Sequence, residues 1–243
     1  MNLSTLTRPE KLELLQLLDE KERRRARRRI ETFYPDTGPL RRELYPKHMQ
    51  FFAASKDHDE VLALAANRVG KTEGMGAYAC SVHLTGRYPP WWVGRRWDRP
   101  IKAWVAGKTN ETTRDIVQTK LLGPVEGSGH TKRLAGTGMV QGETIGDVDW
   151  KQGSPDLVDS VRIRHVSGGW SVVGTKSYQQ GRGSFEGVEQ DLIWMDEEPP
   201  LDVYVEARMR LMTTGGLMLL TFTPLEGLSE VVLSFLPGGK LPE

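Results

Sequence analysis

The sequence predicts an α/β fold, a mostly parallel central sheet flanked by helices. Short apolar runs at 61–65, 101–106, 191–195 and 217–222 have the composition of strands buried on both faces. Segments of helical character separate them, up to about residue 84, over 111–122 and over 202–212. A chain of 243 residues, 38% hydrophobic and 27% charged, is long enough to bury such a core without disulfides or structural metals.

Taken in order, the chain opens with a helix. Thr7 and Glu10 have capping-box spacing, and Pro9 falls in the first turn. Leu12, Leu15 and Leu18, with Leu14 beside them, form an apolar stripe at helical spacing. Residues 21–29 then carry seven basic residues in nine, which would surround a continuing helix and keep that part out of any core. Pro35, Gly38 and Pro39 break the helix. An N-terminal helical, Arg-rich extension over 1–43 is therefore expected ahead of the main domain over 44–243.

Residues 44–52 read as a loop entering a short helix. The stretch 88–97, dense in Pro, Trp and Arg, reads as a loop. Trp91, Trp92 and Trp97 among Arg95, Arg96 and Arg99 suit either aromatic packing with stacked arginines or an interaction surface. Residues 123–155, rich in Gly and polar side chains, read as a long mobile excursion. A β-hairpin follows over 161–175, turning at Ser167-Gly168-Gly169. Residues 228–235 allow one short last helix.

Composition excludes several classes. Cys80 is the only cysteine, so an intramolecular disulfide is impossible and a reducing compartment is expected. The net charge of +1 gives no bulk attraction to nucleic acid. No run of 18 apolar residues and no signal-peptide pattern occurs, so no membrane partner is expected.

Two motifs carry chemistry. Ala65-Ala66-Asn67-Arg68-Val69-Gly70-Lys71-Thr72 has the Walker A layout, with Ala65 where the first Gly is usual. It follows a strand and opens a helix, which is what a phosphate-cradling loop requires. Residues Asn67 to Thr72 would line ATP: Gly70 permits close backbone approach, Lys71 reaches the β and γ phosphates, and Thr72 offers its hydroxyl to Mg²⁺. The second motif is the apolar strand that ends in Asp196-Glu197. Asp196 would hold Mg²⁺, and Glu197 would act as general base on the attacking water. Both motifs lie at strand carboxyl ends, where parallel sheets bind ligands.

The combination resembles the ATPase domain of the large terminase subunit, the DNA-packaging motor of tailed bacteriophages. The resemblance rests on Asn67-Arg68-Val69-Gly70-Lys71-Thr72, on Asp196-Glu197-Glu198-Pro199, on Leu219-Leu220-Thr221-Phe222-Thr223-Pro224 and on Tyr45-Pro46-Lys47-His48-Met49-Gln50. It covers roughly residues 44–224 and implies a P-loop NTPase fold of the RecA/ASCE kind. It further implies that Gln50 reads adenine, that Arg68 approaches the γ-phosphate, and that Arg182 supplies an arginine finger to a neighbouring subunit. Thr223 would sense the γ-phosphate. Implied partners are double-stranded DNA, further copies in a ring, the portal protein and the small terminase subunit, in the cytoplasm of an infected bacterium. The family's nuclease domain has no room after the last motif, so no nuclease activity is expected. The basic run at 23–29 would serve a partner or DNA. Rival readings are another P-loop enzyme, such as a helicase-like remodeller or a small-molecule kinase, and a non-catalytic nucleotide-binding module.

Overall fold

Parallel strands need long crossovers, and the helices supply them. The structure is a computed structural model describing residues 7–224, 227 and 229–236. In it, α1 (Arg8–Ala26) and α2 (Pro46–Ala54) precede β1 (Glu60–Leu64). After the phosphate loop comes one continuous helical stretch. It is wound wide over Lys71–Ala77, where Met75 N donates to Gly70 O five residues back, and as α3 over Tyr78–Thr85. Next are β2 (Lys102–Gly107) and a helical run from α4 (Asn110–Thr112) to α5 (Thr119–Leu122). A small hairpin of β3 (Val125–Glu126) and β4 (Arg133–Leu134) leads to β5 (Ile145–Trp150), β6 (Val158–Arg164) and β7 (Trp170–Ser177). The chain continues through β8 (Leu192–Asp196), α6 (Leu201–Met212), β9 (Leu217–Phe222) and α7 (Glu230–Ser234).

The main sheet runs β1-β9-β8-β2-β7-β6-β5. Its first five strands are mutually parallel, and the β6–β7 hairpin and β5 add an antiparallel edge. This is the expected α/β architecture. The chain inserts β9 between β1 and β8 and sets β8 beside β2, so the residues after β1, β9, β8 and β2 emerge side by side on one edge. Apolar cores cover both faces. Tyr34, Phe52, Tyr78 and Trp194 pack on one, and Trp104, Phe185, Ile193 and Met218 on the other.

Gly76 shows how close this packing is. A Cβ there would lie 2.2 Å from Cε2 of Trp194, which is fully buried. Trp194 Nε1 donates to Thr221 Oγ1 (2.8 Å), and that hydroxyl donates to Asp196 Oδ1 (2.7 Å). Gly76→Ala therefore pushes on a side chain that helps aim Asp196. Overpacking of this kind costs about 1–3 kcal/mol, which lowers the melting temperature by about 3–10 °C. An unchanged melting temperature would show that Trp194 repacks freely.

One expectation is corrected. Residues 123–155 are not a loose excursion: Leu134, Met139 and Val140 are buried there, and β5 forms the sheet edge. Its bulged, half-polar sequence, with Asp147 and Asp149 facing out, hides the strand. The leucine stripe of α1 covers nothing, since Leu12, Leu15 and Leu18 are 47–62% exposed and no residue of that helix is buried. Packing also changes well before residue 43. Ile30 and Phe33 pack on the core, and Tyr34 is within it. The N-terminal cap forms as read, with the Glu10 carboxylate accepting from Thr7 N (2.7 Å) and Thr7 Oγ1 (2.6 Å). The last helix is Glu230–Ser234, while Leu228 lies outside the described residues.

The tryptophan-rich loop is packing. Trp92 is buried against Phe52, Trp97 stacks edge-on to His83, and the Arg96 guanidinium covers the Tyr88 ring. Burial pushes His83 down to about 3, so it stays neutral there. Much of the basic run is paired internally: Arg24 with Glu20 (2.7 Å), Arg28 with Glu143 (3.5 Å) and Arg29 with Glu73 (2.5 Å).

Candidate active site

The phosphate loop must turn from strand to helix within a few residues. It does so through two left-handed positions, Arg68 (φ 65°) and Gly70 (φ 85°). Gly70 suits such a position, whereas Arg68 adopts it at a strain of order 1–2 kcal/mol. The loop is gripped from behind by His48 and Tyr34. His48 Nε2 lies 3.0 Å from Val69 O, and its Nδ1 lies 2.6 Å from Tyr34 Oη, which is 2.7 Å from Gly74 O. A side chain at Gly74 would collide with that hydroxyl, at 2.8 Å.

Lys71 Nζ donates to Ala65 O (2.8 Å), Ala66 O (2.6 Å) and Thr223 Oγ1 (2.8 Å). Burial lowers the Lys71 pKa, opposed by the charge of Asp196. Thr223 Oγ1 also lies 2.9 Å from Ala65 O and from Asn67 Oδ1, which ties the end of β9 to the loop.

Thr72 and Asp196 meet although they are 124 residues apart. Thr72 Oγ1 lies 3.0 and 3.1 Å from the two carboxylate oxygens. Next along the chain, Glu197 turns sharply out of β8 in a left-handed conformation (φ 66°) while its N–H still donates to Thr221 O (3.0 Å). The buried Tyr178 hydroxyl fixes this turn, lying 2.9 Å from Asp196 O and 3.0 Å from Glu197 O. Such strained residues persist where surrounding bonds over-determine them, and they cluster at functional sites. Glu198 lies at the same edge, but its carboxylate is engaged, accepting from Ser229 Oγ at the N-cap of α7.

A cavity of about 1040 Å³ lies over this edge. Of the predicted residues, Asn67, Arg68, Gly70, Lys71, Thr72, Asp196, Glu197 and Thr223 line it. Val69 sits in the loop with its carbonyl turned back to His48. Gln50 does not line the cavity. It is exposed on α2, because His48 two residues earlier faces inward and residues two apart on a helix point to opposite sides. Arg182 does not line it either. Its Nε donates to Glu206 Oε2 (2.9 Å), a buried carboxylate shared with Arg210 (2.8 Å). Burying Glu206 without a counterion would be costly, which explains where Arg182 goes.

Lys108, Tyr178, Gln179 and His48 were not legible as site residues. Lys108, Tyr178 and Gln179 follow β2 and β7, whose place beside β8 only the strand order reveals. A smaller cavity of about 550 Å³ between α2 and the Trp91 loop lacks this chemistry. Its cation, Arg42, is engaged by Asp36 and by Tyr34 O (3.1 Å).

Asp196 is only 4% exposed. Burial, aided by the neighbouring Glu197 charge, pushes its pKa up from 3.8 to about 6, against lowering by the hydrogen bonds from Thr221 and Thr72 and by Lys71. An under-compensated carboxylate beside a hydroxyl fits a small, oxygen-seeking divalent cation such as Mg²⁺. Because folding raises this pKa, Asp196 favours the fold fully below pH 3.8, and that contribution is lost as pH rises through about 6. Asp196→Asn is therefore expected to stabilise the metal-free domain at pH 8 by about 1–3 kcal/mol while leaving its stability at pH 4 nearly unchanged. Denaturant melts at the two pH values check this. Equal effects at both would mean that the buried charge is already balanced.

Comparison with known proteins bears on the same edge. The family described as "Terminase large subunit, T4likevirus-type, N-terminal" matches residues 62–239, from β1 past β9. The chain belongs to the terminase large-subunit family. The curated large terminase subunit of Salmonella phage P22 is 35% identical over 253 residues, covering 96% of this chain and 48% of that protein. This terminase chain thus spans about half the length of that relative. Two solved structures of the large terminase of a thermophilic bacteriophage are also similar. They share 15% and 14% identity, each with a TM-score of 0.49, over 73% and 78% of this chain and 37% and 48% of theirs. The second of these is a complex with ADP. The terminase match contains both motifs that build the cavity, while His48 and Tyr34 precede it.

Proposed function

We propose that this chain is the ATPase domain of a viral DNA-packaging motor, hydrolysing ATP with Mg²⁺ to drive double-stranded DNA into a procapsid. The observation that carries the reading is the contact of Thr72 with Asp196 at 3.0 Å, which closes the phosphate loop onto the acidic strand end. The N–H groups of the loop and Lys71 bind the phosphates. Thr72 and Asp196 would hold Mg²⁺, which would offset the negative charge of the phosphates. Glu197 orients a water and accepts its proton as that water attacks the γ-phosphorus. The bond to the β–γ bridging oxygen breaks, and ADP carries away that electron pair.

Thr223 couples this chemistry to the chain beyond β9. It shares Lys71 with the backbone of the loop, so withdrawal of that amine towards phosphate removes one of its bonds. Double-stranded DNA, neighbouring copies in a ring, the portal protein and the small subunit are the partners of the whole motor, in the host cytoplasm. Action of Arg182 on a neighbouring copy requires its release from Glu206.

The test is phosphate release from ATP by the purified chain, with and without Mg²⁺ and double-stranded DNA. Release that depends on Mg²⁺ and rises with DNA is expected. Release indifferent to chelation, or no affinity for ATP, would contradict the reading.

A further inference from the structure

Strand register brings one more charged group to Glu197. In the parallel β2–β8 pair the ladder ends with Ala106 level with Met195, so the chains leaving the two strands emerge as neighbours, and Lys108 and Glu197 line the same cavity. On the other side of β2, Gly107 is level with Ser177, which sets Lys108 next to Tyr178. The backbone is fixed there, since Lys108 O accepts from Gln179 N (3.1 Å), and Tyr178 bridges to the carbonyls of Asp196 and Glu197.

The cavity's cations among the described residues are Arg68, Lys71 and Lys108. Arg68 and Lys71 belong to the phosphate loop. Lys108 is exposed on the opposite side of the acidic pair, and Arg182 is held outside by Glu206. Phosphoryl transfer spreads negative charge over the equatorial oxygens of the γ-phosphoryl group, and a cation placed beyond the general base meets that charge as it develops. A lysine suits this position because its long stem can carry the ammonium into the cavity without disturbing the anchored backbone.

We propose that Lys108 is a catalytic cation supplied in cis, contacting the γ-phosphoryl group in the transition state from the side of Glu197. This rests on the ATP-hydrolysing reading of the site.

The test compares the wild-type chain with Lys108→Ala, Lys108→Met and Lys108→Arg, the Met variant keeping most of the stem. Three quantities are measured: affinity for MgADP, affinity for MgADP with aluminium fluoride as a transition-state mimic, and ATP turnover. For Ala and Met, MgADP affinity within about twofold of wild type is expected, with at least tenfold weaker binding of the fluoride complex and turnover lowered roughly 100-fold. Arg should recover most of both losses. Unchanged fluoride-complex binding in the neutral variants would overturn the proposal. Equal weakening of MgADP and the fluoride complex would overturn it too, since that pattern marks ground-state binding. Lys71→Ala serves as the control. If wild type fails to bind MgADP, or Lys71→Ala binds it equally well, the nucleotide-site reading fails instead.

Discussion

Glu197→Gln is expected to lower ATP turnover roughly 100- to 10,000-fold while leaving MgATP affinity within a few-fold of wild type. Glutamine keeps the size and the hydrogen-bonding reach of the side chain, so the left-handed turn held by Thr221 O and Tyr178 survives. What is lost is the ability to accept a proton from water. Single-turnover phosphate release, measured beside an equilibrium nucleotide titration, separates the two effects. Full turnover in this variant would place water activation elsewhere. Glu198 is a poor substitute, because its carboxylate is engaged at the N-cap of α7.

Lys71→Ala should act on binding itself. The amine is partly desolvated and bonded to two loop carbonyls and Thr223, all groups that stay in place when it is removed. The variant should therefore fold, with a melting temperature within a few degrees of wild type. It loses a charge-assisted hydrogen bond to phosphate, worth about 1.5–3 kcal/mol, or roughly 10- to 150-fold in affinity. Turnover falls with it. Nucleotide titration by fluorescence, with thermal melting as the folding control, checks the prediction. Near-normal affinity would mean that the phosphates sit away from this loop.

Much of the sheet was legible because its parallel strands are short apolar runs bounded by turn residues. Their period needs no partner to be read, and β8 and β9 are apolar along nearly their whole length. β5 was not legible. It is an edge strand with bulges and outward carboxylates, and its pairing with β6 comes from topology rather than composition. The same holds at the site. Lys71, Thr72, Asp196 and Glu197 declare themselves by local pattern. Lys108 and Tyr178 reach the cavity only through strand order, which sets β2 next to β8 and β7 next to β2. Gln50 and Arg182, assigned to nucleotide sites by resemblance alone, lie off this cavity: the helix face of α2 turns Gln50 to solvent, and Arg182, assigned to a neighbouring subunit's site, pairs with the buried Glu206. The α1 stripe was legible only as a face, because helical spacing of leucines specifies no partner for it.

The most direct measurement is a crystal structure of the chain with Mg²⁺ and a non-hydrolysable ATP analogue. The triphosphate is expected on the loop of Asn67 to Thr72, the metal between Thr72 and Asp196, and the Glu197 carboxylate facing the γ-phosphate. A nucleotide seated instead between α2 and the Trp91 loop, or a metal that ignores Asp196, would contradict this arrangement.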